Sequence, residues 1–220
     1  PEELLINPKS FEGLNGKIET LYPIIIKDLK NYSKLSELSE GTLIQFIPNL
    51  LCRVEPFRQL ILSHLVSNNR LTFLKAMCVF QEEKGNDFIK SIEFLPIESQ
   101  LNSVCFVVMD NIMNKLSCFN YIILNEYENR GWITSDNPIV LVNNISHNSI
   151  FSIDTEVYFP LSKEFCVFFF RPNSKVKNNI LRSFKNKSLI NATEEIQEMI
   201  YEKIRANAEK LIFFPLEINI

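Results

Sequence analysis

The chain has 220 residues, 46% hydrophobic, 22% charged and 11% aromatic, with a formal charge of −3 at pH 7. That balance is globular: too apolar for a disordered chain, and long enough to bury a real core. It argues against a polyanion binder driven by global charge, so nucleic acid stays open as a partner without support from the net charge. No apolar run approaches the roughly 18 residues of a membrane span, and no membrane partner is expected.

Five cysteines stand at positions 52, 78, 105, 118 and 166 without a CxxC. An odd, scattered set reads as reduced thiols of a cytoplasmic protein, neither a disulfide framework nor a zinc site. The two histidines, His64 and His147, exclude any site built on several. No basic-then-apolar leader precedes Glu2, so no signal peptide is expected. Neither a cofactor nor a metal is expected.

Residues 1–116 read as mainly helical. From Ser10 to Tyr32 apolar residues recur at steps of three and four, with a kink or a break expected at Pro23. A second helix is expected from Ser39, capped by its hydroxyl, with Pro48 and Pro56 interrupting the region. A long helix is expected over Pro56–Glu83, stopped by Gly85-Asn86. Phe88–Leu95 reads as a short strand or a loop, and Ile97–Leu116 as a helix.

Residues 117–171 read as β-rich. Phe119–Leu124, Gly131–Thr134, Ile139–Val142, Glu156–Phe159 and Phe165–Phe170 are short β-branched and aromatic runs bounded by turn residues. Phe165–Phe170 is apolar throughout, which places it at the centre of a sheet, buried on both faces. Residues 172–220 close the chain with two expected helices, Ser174–Phe184 and Asn191–Leu211. The order predicts a single α+β domain over 1–220: an N-terminal helical bundle packed on a small antiparallel sheet, a mixed sheet being left open, with C-terminal helices.

Five glycines cannot assemble GxGxxG or a Walker loop, and GxSxG and HExxH are absent. What remains is a polar constellation. In Trp132-Ile133-Thr134-Ser135-Asp136-Asn137-Pro138 the side chains of Ser135, Asp136 and Asn137 can fold back onto local N–H groups, or present a carboxylate and an amide beside the only tryptophan. In Arg53-Val54-Glu55-Pro56-Phe57-Arg58 two arginine forks flank a helix break. A charged stem among apolar residues must find a partner, and Asp136 is the expected one. Arg53, Arg58, Trp132, Ser135, Asp136 and Asn137 are therefore either a polar site or a structural ionic tie. The lysines and arginine at 175, 177, 182, 185 and 187 read as a solvated basic face.

Phe46–Arg58 (FIPNLLCRVEPFR), Trp132–Pro138 (WITSDNP), Phe159–Ser162 (FPLS) and Asn207–Phe214 (NAEKLIFF), with Ile18-Glu19 in the first helix, resemble a bacterial family known as domain of unknown function 4238. The resemblance spans most of the chain and implies no established reaction. Members of that family begin with His-Tyr-x-Pro, and nothing like it stands at Pro1–Phe11. The expectation is an uncharacterised bacterial binding or regulatory module. The alternative is a nucleic-acid-acting hydrolase of a phage-defence or toxin type, completed by a missing N-terminal segment.

Overall fold

A computed structural model of the chain describes residues 8–78, 82–143, 154–173 and 180–215. It is α+β. Among the described residues, six α-helices come first: α1 (Pro8–Tyr32), α2 (Glu37–Leu51), α3 (Glu55–Leu65), α4 (Arg70–Met77), α5 (Glu82–Glu93) and α6 (Ile97–Leu116). The strands β1 (Asn120–Asn125), β2 (Thr134–Ser135), β3 (Val140–Asn143), β4 (Thr155–Pro160) and β5 (Phe165–Phe170) follow. A 3₁₀ turn (Ile180–Ser183), β6 (Leu189–Asn191), α7 (Glu194–Asn207) and β7 (Ile212–Phe213) close the chain. The chain divides into two compact units, Pro1–Pro23 with Gly41–Asn114 and Ile24–Glu40 with Lys115–Ile220.

The first unit is helical among its described residues. Its apolar stripes bury Leu43 and Ile47 of α2, Phe57, Ile61 and Leu65 of α3, and Leu101, Val104, Val108 and Ile112 of α6. The expected long helix over Pro56–Glu83 is divided among α3, α4 and the first residues of α5, with residues 79–81 outside the described residues. After Leu65, Ser67 donates its backbone N–H and its hydroxyl to the His64 carbonyl, and that hydroxyl accepts the Asn69 N–H. Such local bonds compete with helix continuation. Gly85 does not stop a helix either. It lies inside α5, where a Cβ would meet that of Cys78 at 2.7 Å, so its role is close approach. Phe88–Leu95, undecided between strand and loop, falls largely in α5.

Pro23 lies inside α1 and the helix runs through it, so no break occurs there. The lost hydrogen bond is tolerated because buried residues anchor both flanks, Ile18 before it and Ile25 and Leu29 after it. In the second unit, α1 ends in a turn built on a buried carboxylate. Asp28 accepts the Ser36 N–H at 3.0 Å, the Ser36 hydroxyl at 2.5 Å and the Ser39 hydroxyl at 2.5 Å. The Ser36 hydroxyl also takes the Ser39 N–H at 3.3 Å, so the cap of α2 is Ser36 and not the expected Ser39.

The second unit is organised by a five-stranded sheet in the order β3-β4-β5-β1-β6. All neighbours are antiparallel except β1 and β6, which run parallel, so the sheet is mixed. β5 is an inner strand with all six residues buried, as its unbroken apolar run predicts. One face packs Ile122, Leu124, Tyr158, Phe168 and Phe170 against Ile196, Ile200 and Ile204, three α7 residues spaced by four. β2 and β7 form a separate ribbon. Helix α7 begins at Glu194, capped by Thr193, because Asn191 is spent in β6. In place of the expected Ser174–Phe184 helix the described part is the 3₁₀ turn at Ile180–Ser183; residues 174–179 lie outside the described residues.

Candidate functional site

The segment from Gly131 to Asn137 is where the sequence placed its polar constellation. Gly131 has φ +71°, and a Cβ there would meet Pro215 at 2.5 Å, so only glycine fits. Its N–H donates to the Glu126 carboxylate at 2.5 Å, and its carbonyl accepts from the Gln197 amide at 3.0 Å and from the Tyr201 hydroxyl. Both donors to the carbonyl lie one turn apart on α7, an i, i+4 pair that reads as part of an ordinary helix face in the sequence.

Trp132 is buried and sits edge-on to Tyr201, ring centroids 6.2 Å apart. Its backbone N–H donates to the Lys163 carbonyl at 2.8 Å, while its indole Nε1 is buried and has no hydrogen-bond partner among the described residues. An indole so placed acts through packing area. Ser135 follows in β2. Its hydroxyl donates to the Asn137 carbonyl at 2.8 Å and accepts the Asn137 N–H at 3.2 Å, closing a local turn.

Asp136 holds the chain that leaves α7. Its Oδ1 accepts the Glu209 N–H at 3.1 Å, and its Oδ2 accepts the N–H groups of Lys210 at 2.9 Å and Leu211 at 3.2 Å. Its own N–H donates to the Leu211 carbonyl at 3.2 Å. Desolvation pushes its carboxyl up, but the N–H groups of Glu209, Lys210 and Leu211 and its own outweigh it and hold the carboxyl below the usual range. Asn137 and Asn207 complete the seam. The Asn207 amide donates to the carbonyls of Asn137 at 3.1 Å and Ile139 at 3.2 Å, and the Asn137 amide donates to the Asn207 carbonyl at 3.5 Å.

The arginines take carboxylates within the first unit. Arg53 pairs with Glu19, and Arg58 pairs with Glu98 at 2.7 Å and donates to the Asn102 side-chain oxygen at 3.3 Å. The arginine expected as partner for Asp136 is replaced by three backbone N–H groups. The reason is chemical: a chain end leaving a helix offers converging N–H donors that satisfy a carboxylate without burying a second charge. Trp132, Ser135, Asp136 and Asn137 are therefore brought together, and Arg53 and Arg58 each serve a separate helical pairing.

The remaining features sort in the same way. Ser162 of the FPLS motif braces the β4–β5 turn, its hydroxyl accepting the N–H groups of Glu164 and Phe165, each at 3.1 Å. His64 is exposed and stacks on Phe73; His147 lies outside the described residues. Of the basic run, Lys187 pairs with Glu40 and Arg182 with Glu156, while Lys175 and Lys177 lie outside the described residues. The Glu156–Arg182 pair escaped sequence reasoning. Its signal was a lone carboxylate inside the apolar run of β4. Among the described residues, no group of three or more His, Cys, Asp or Glu side chains is placed to hold a metal ion, and no helix is long and apolar enough to cross a membrane.

A family model described as a protein of unknown function, DUF4238, matches residues 5–215. No curated protein and no solved structure matches the chain.

Proposed function

Since the chain belongs to DUF4238, a family described by no reaction, we propose from the geometry that it is a non-catalytic binding or regulatory module whose conspicuous polar residues are scaffold. The observation that carries this reading is the hold of three backbone N–H groups on the Asp136 carboxylate. A carboxylate that accepts three backbone N–H groups has its lone pairs directed at the chain it holds, which leaves it poorly placed as a general base or a metal ligand. The Ser135 hydroxyl and the Asn137 and Asn207 amide N–H groups beside it are engaged in the same seam, and the two arginines are paired elsewhere. All five cysteines are free, which supports a reducing, cytoplasmic setting for a bacterial protein.

The test is thermal unfolding of Asp136→Ala and Asp136→Asn. The scaffold reading expects the alanine variant to melt several degrees lower and Lys210–Phe213 to become protease-sensitive, with asparagine intermediate because it keeps one acceptor oxygen. An alanine variant that melts like the parent overturns the reading.

A further inference from the structure

The five-stranded sheet ends on β6, which has a hydrogen-bonded neighbour, β1, on one side only. The pairing is parallel and sets Ile123, Leu124 and Asn125 level with Leu189, Ile190 and Asn191. In such a ladder alternate residues turn their N–H and C=O groups to the same neighbour. The Ser188 carbonyl accepts the Ile123 N–H at 2.9 Å, and the Ala192 N–H donates to the Asn125 carbonyl at 2.9 Å. Positions 188, 190 and 192 therefore face β1, and the N–H and C=O groups of Leu189 and Asn191 face away from it. Among the described residues those groups have no backbone partner. The surface is hollowed where the two strands end. A pocket of about 290 Å³ is lined by residues 125–129 with Asn191 and Ala192. Asn125 and Asn191 join their amides at 3.2 Å, and Glu126 gives one carboxylate oxygen to the Gly131 N–H. Among the described residues neither Glu126 nor Glu128 forms an ion pair. Arg130, the next cation along the chain, is held by Glu194 at 2.7 Å and Glu198 at 3.7 Å.

From this arrangement we infer that the β6 edge takes an extended peptide segment as a further strand, with a basic side chain of that peptide in the pocket. A row of outward N–H and C=O groups is a template for another chain, and pockets beside the edge select its side chains. Asn191 belongs to both parts: its backbone lies on the open edge and it lines the pocket. An edge of two outward residues gives little affinity and cannot propagate pairing, so the pocket decides what binds. Its volume lies at the lower limit of small-molecule sites, roughly 300–1,000 Å³, and its lining is polar, which suits one polar side chain better than a whole metabolite. The carboxylates of Glu126 and Glu128 lack a counter-ion and lie beside amide oxygens, so the complementary group is a multiple N–H donor with positive charge. An acidic side chain in the same place meets like charge and is rejected.

The inference rests on the binding-module reading and gives it a partner. The probe is a blocked peptide, Thr-Val-Lys-Val-Thr, titrated into the whole chain and followed by amide NMR. Saturable shifts at residues 125–129 and 188–192 are expected, with slower exchange of the Leu189 and Asn191 N–H groups. Replacing the lysine by norleucine, which keeps the stem and drops the charge, should weaken binding roughly tenfold, as for the loss of a hydrogen bond to a charged group. Methylating the backbone nitrogens of the peptide should remove the exchange protection. Glu128→Gln changes an exposed side chain and leaves Glu126 on the Gly131 N–H. It should weaken the lysine peptide and leave the norleucine peptide unchanged. Equal binding of the two peptides overturns the inference, as does binding that leaves Leu189 and Asn191 unprotected, or a response without saturation. Protection of the same residues that grows with protein concentration in the absence of peptide identifies a second copy as the occupant and overturns the peptide. The Asp136 variants are melted without peptide, so a failed titration leaves the scaffold assignment to its own test.

Discussion

Glu156 and Arg182 form an ion pair inside the second unit, with Arg182 Nε 2.9 Å from Glu156 Oε1 and side-chain exposures of 11% and 3% for the arginine and the glutamate. The Tyr158 hydroxyl donates to the other carboxylate oxygen at 2.9 Å, and the guanidinium lies over the Phe170 ring. A charge on β4 is thus matched by one from the 3₁₀ turn. Removing one partner of such a pair leaves the other charge buried and uncompensated.

Arg182→Ala is therefore expected to destabilise the protein by about 3–5 kcal/mol, read from urea unfolding. Arg182→Met with Glu156→Gln is expected to lose clearly less than Arg182→Ala, since the charge is removed from both sides. A double variant as unstable as the single one would mean that shape, not charge, holds this corner.

The Asp28 cap makes stability depend on acid. The Ser36 and Ser39 hydroxyls and the Ser36 N–H hold its carboxyl below the usual range. The folded pKa therefore lies below the unfolded one. The contribution is fully present above the unfolded value of about 3.9 and is lost as pH falls through the folded value. Unfolding followed between pH 6 and pH 2 should show this loss, and Asp28→Asn should flatten that part of the profile. Ser39→Ala should cost about 1.5–3 kcal/mol at neutral pH, for one hydrogen bond to a charged acceptor.

Gly131→Ala should be poorly tolerated. The residue combines a φ of +71° with a Cβ position 2.5 Å from Pro215 Cγ and 3.0 Å from Lys163 Cγ. A loss of about 1–3 kcal/mol is expected from the strained backbone alone, measured by calorimetry. The same change at Gly41, whose Cβ would meet nothing within 4 Å, should be neutral or stabilising.

The sheet was largely legible because its long strands carry their own signals. Phe165–Phe170 is unbroken apolar sequence, and β1, β3 and β4 are punctuated runs within one residue of their observed ends. β6 and β7 were not legible, because three and two residues are too few for a period and their pairing is set by distant partners. The helix break at Val66–Asn69 was missed for a related reason: an apolar stripe on both sides masks a Ser-Asn-Asn turn. At the candidate site the brace itself could be read, since Ser135 and Asp136 are turn formers. The partner of Asp136 could not. Its N–H donors belong to backbone more than seventy positions onward, and any residue type supplies the same group.

The position of β1 in the sheet has a consequence for how the chain is made. Both of its neighbours, β5 and β6, are synthesised after it, and β6 follows β5. An apolar strand that leaves the ribosome early has no hydrogen-bonding partner until Phe165–Phe170 follows, and its parallel neighbour comes later still. Pairings that span so much sequence form slowly and leave a sticky strand uncovered in the meantime. Nascent chains halted between β1 and β5 should therefore be the ones that draw chaperones most strongly.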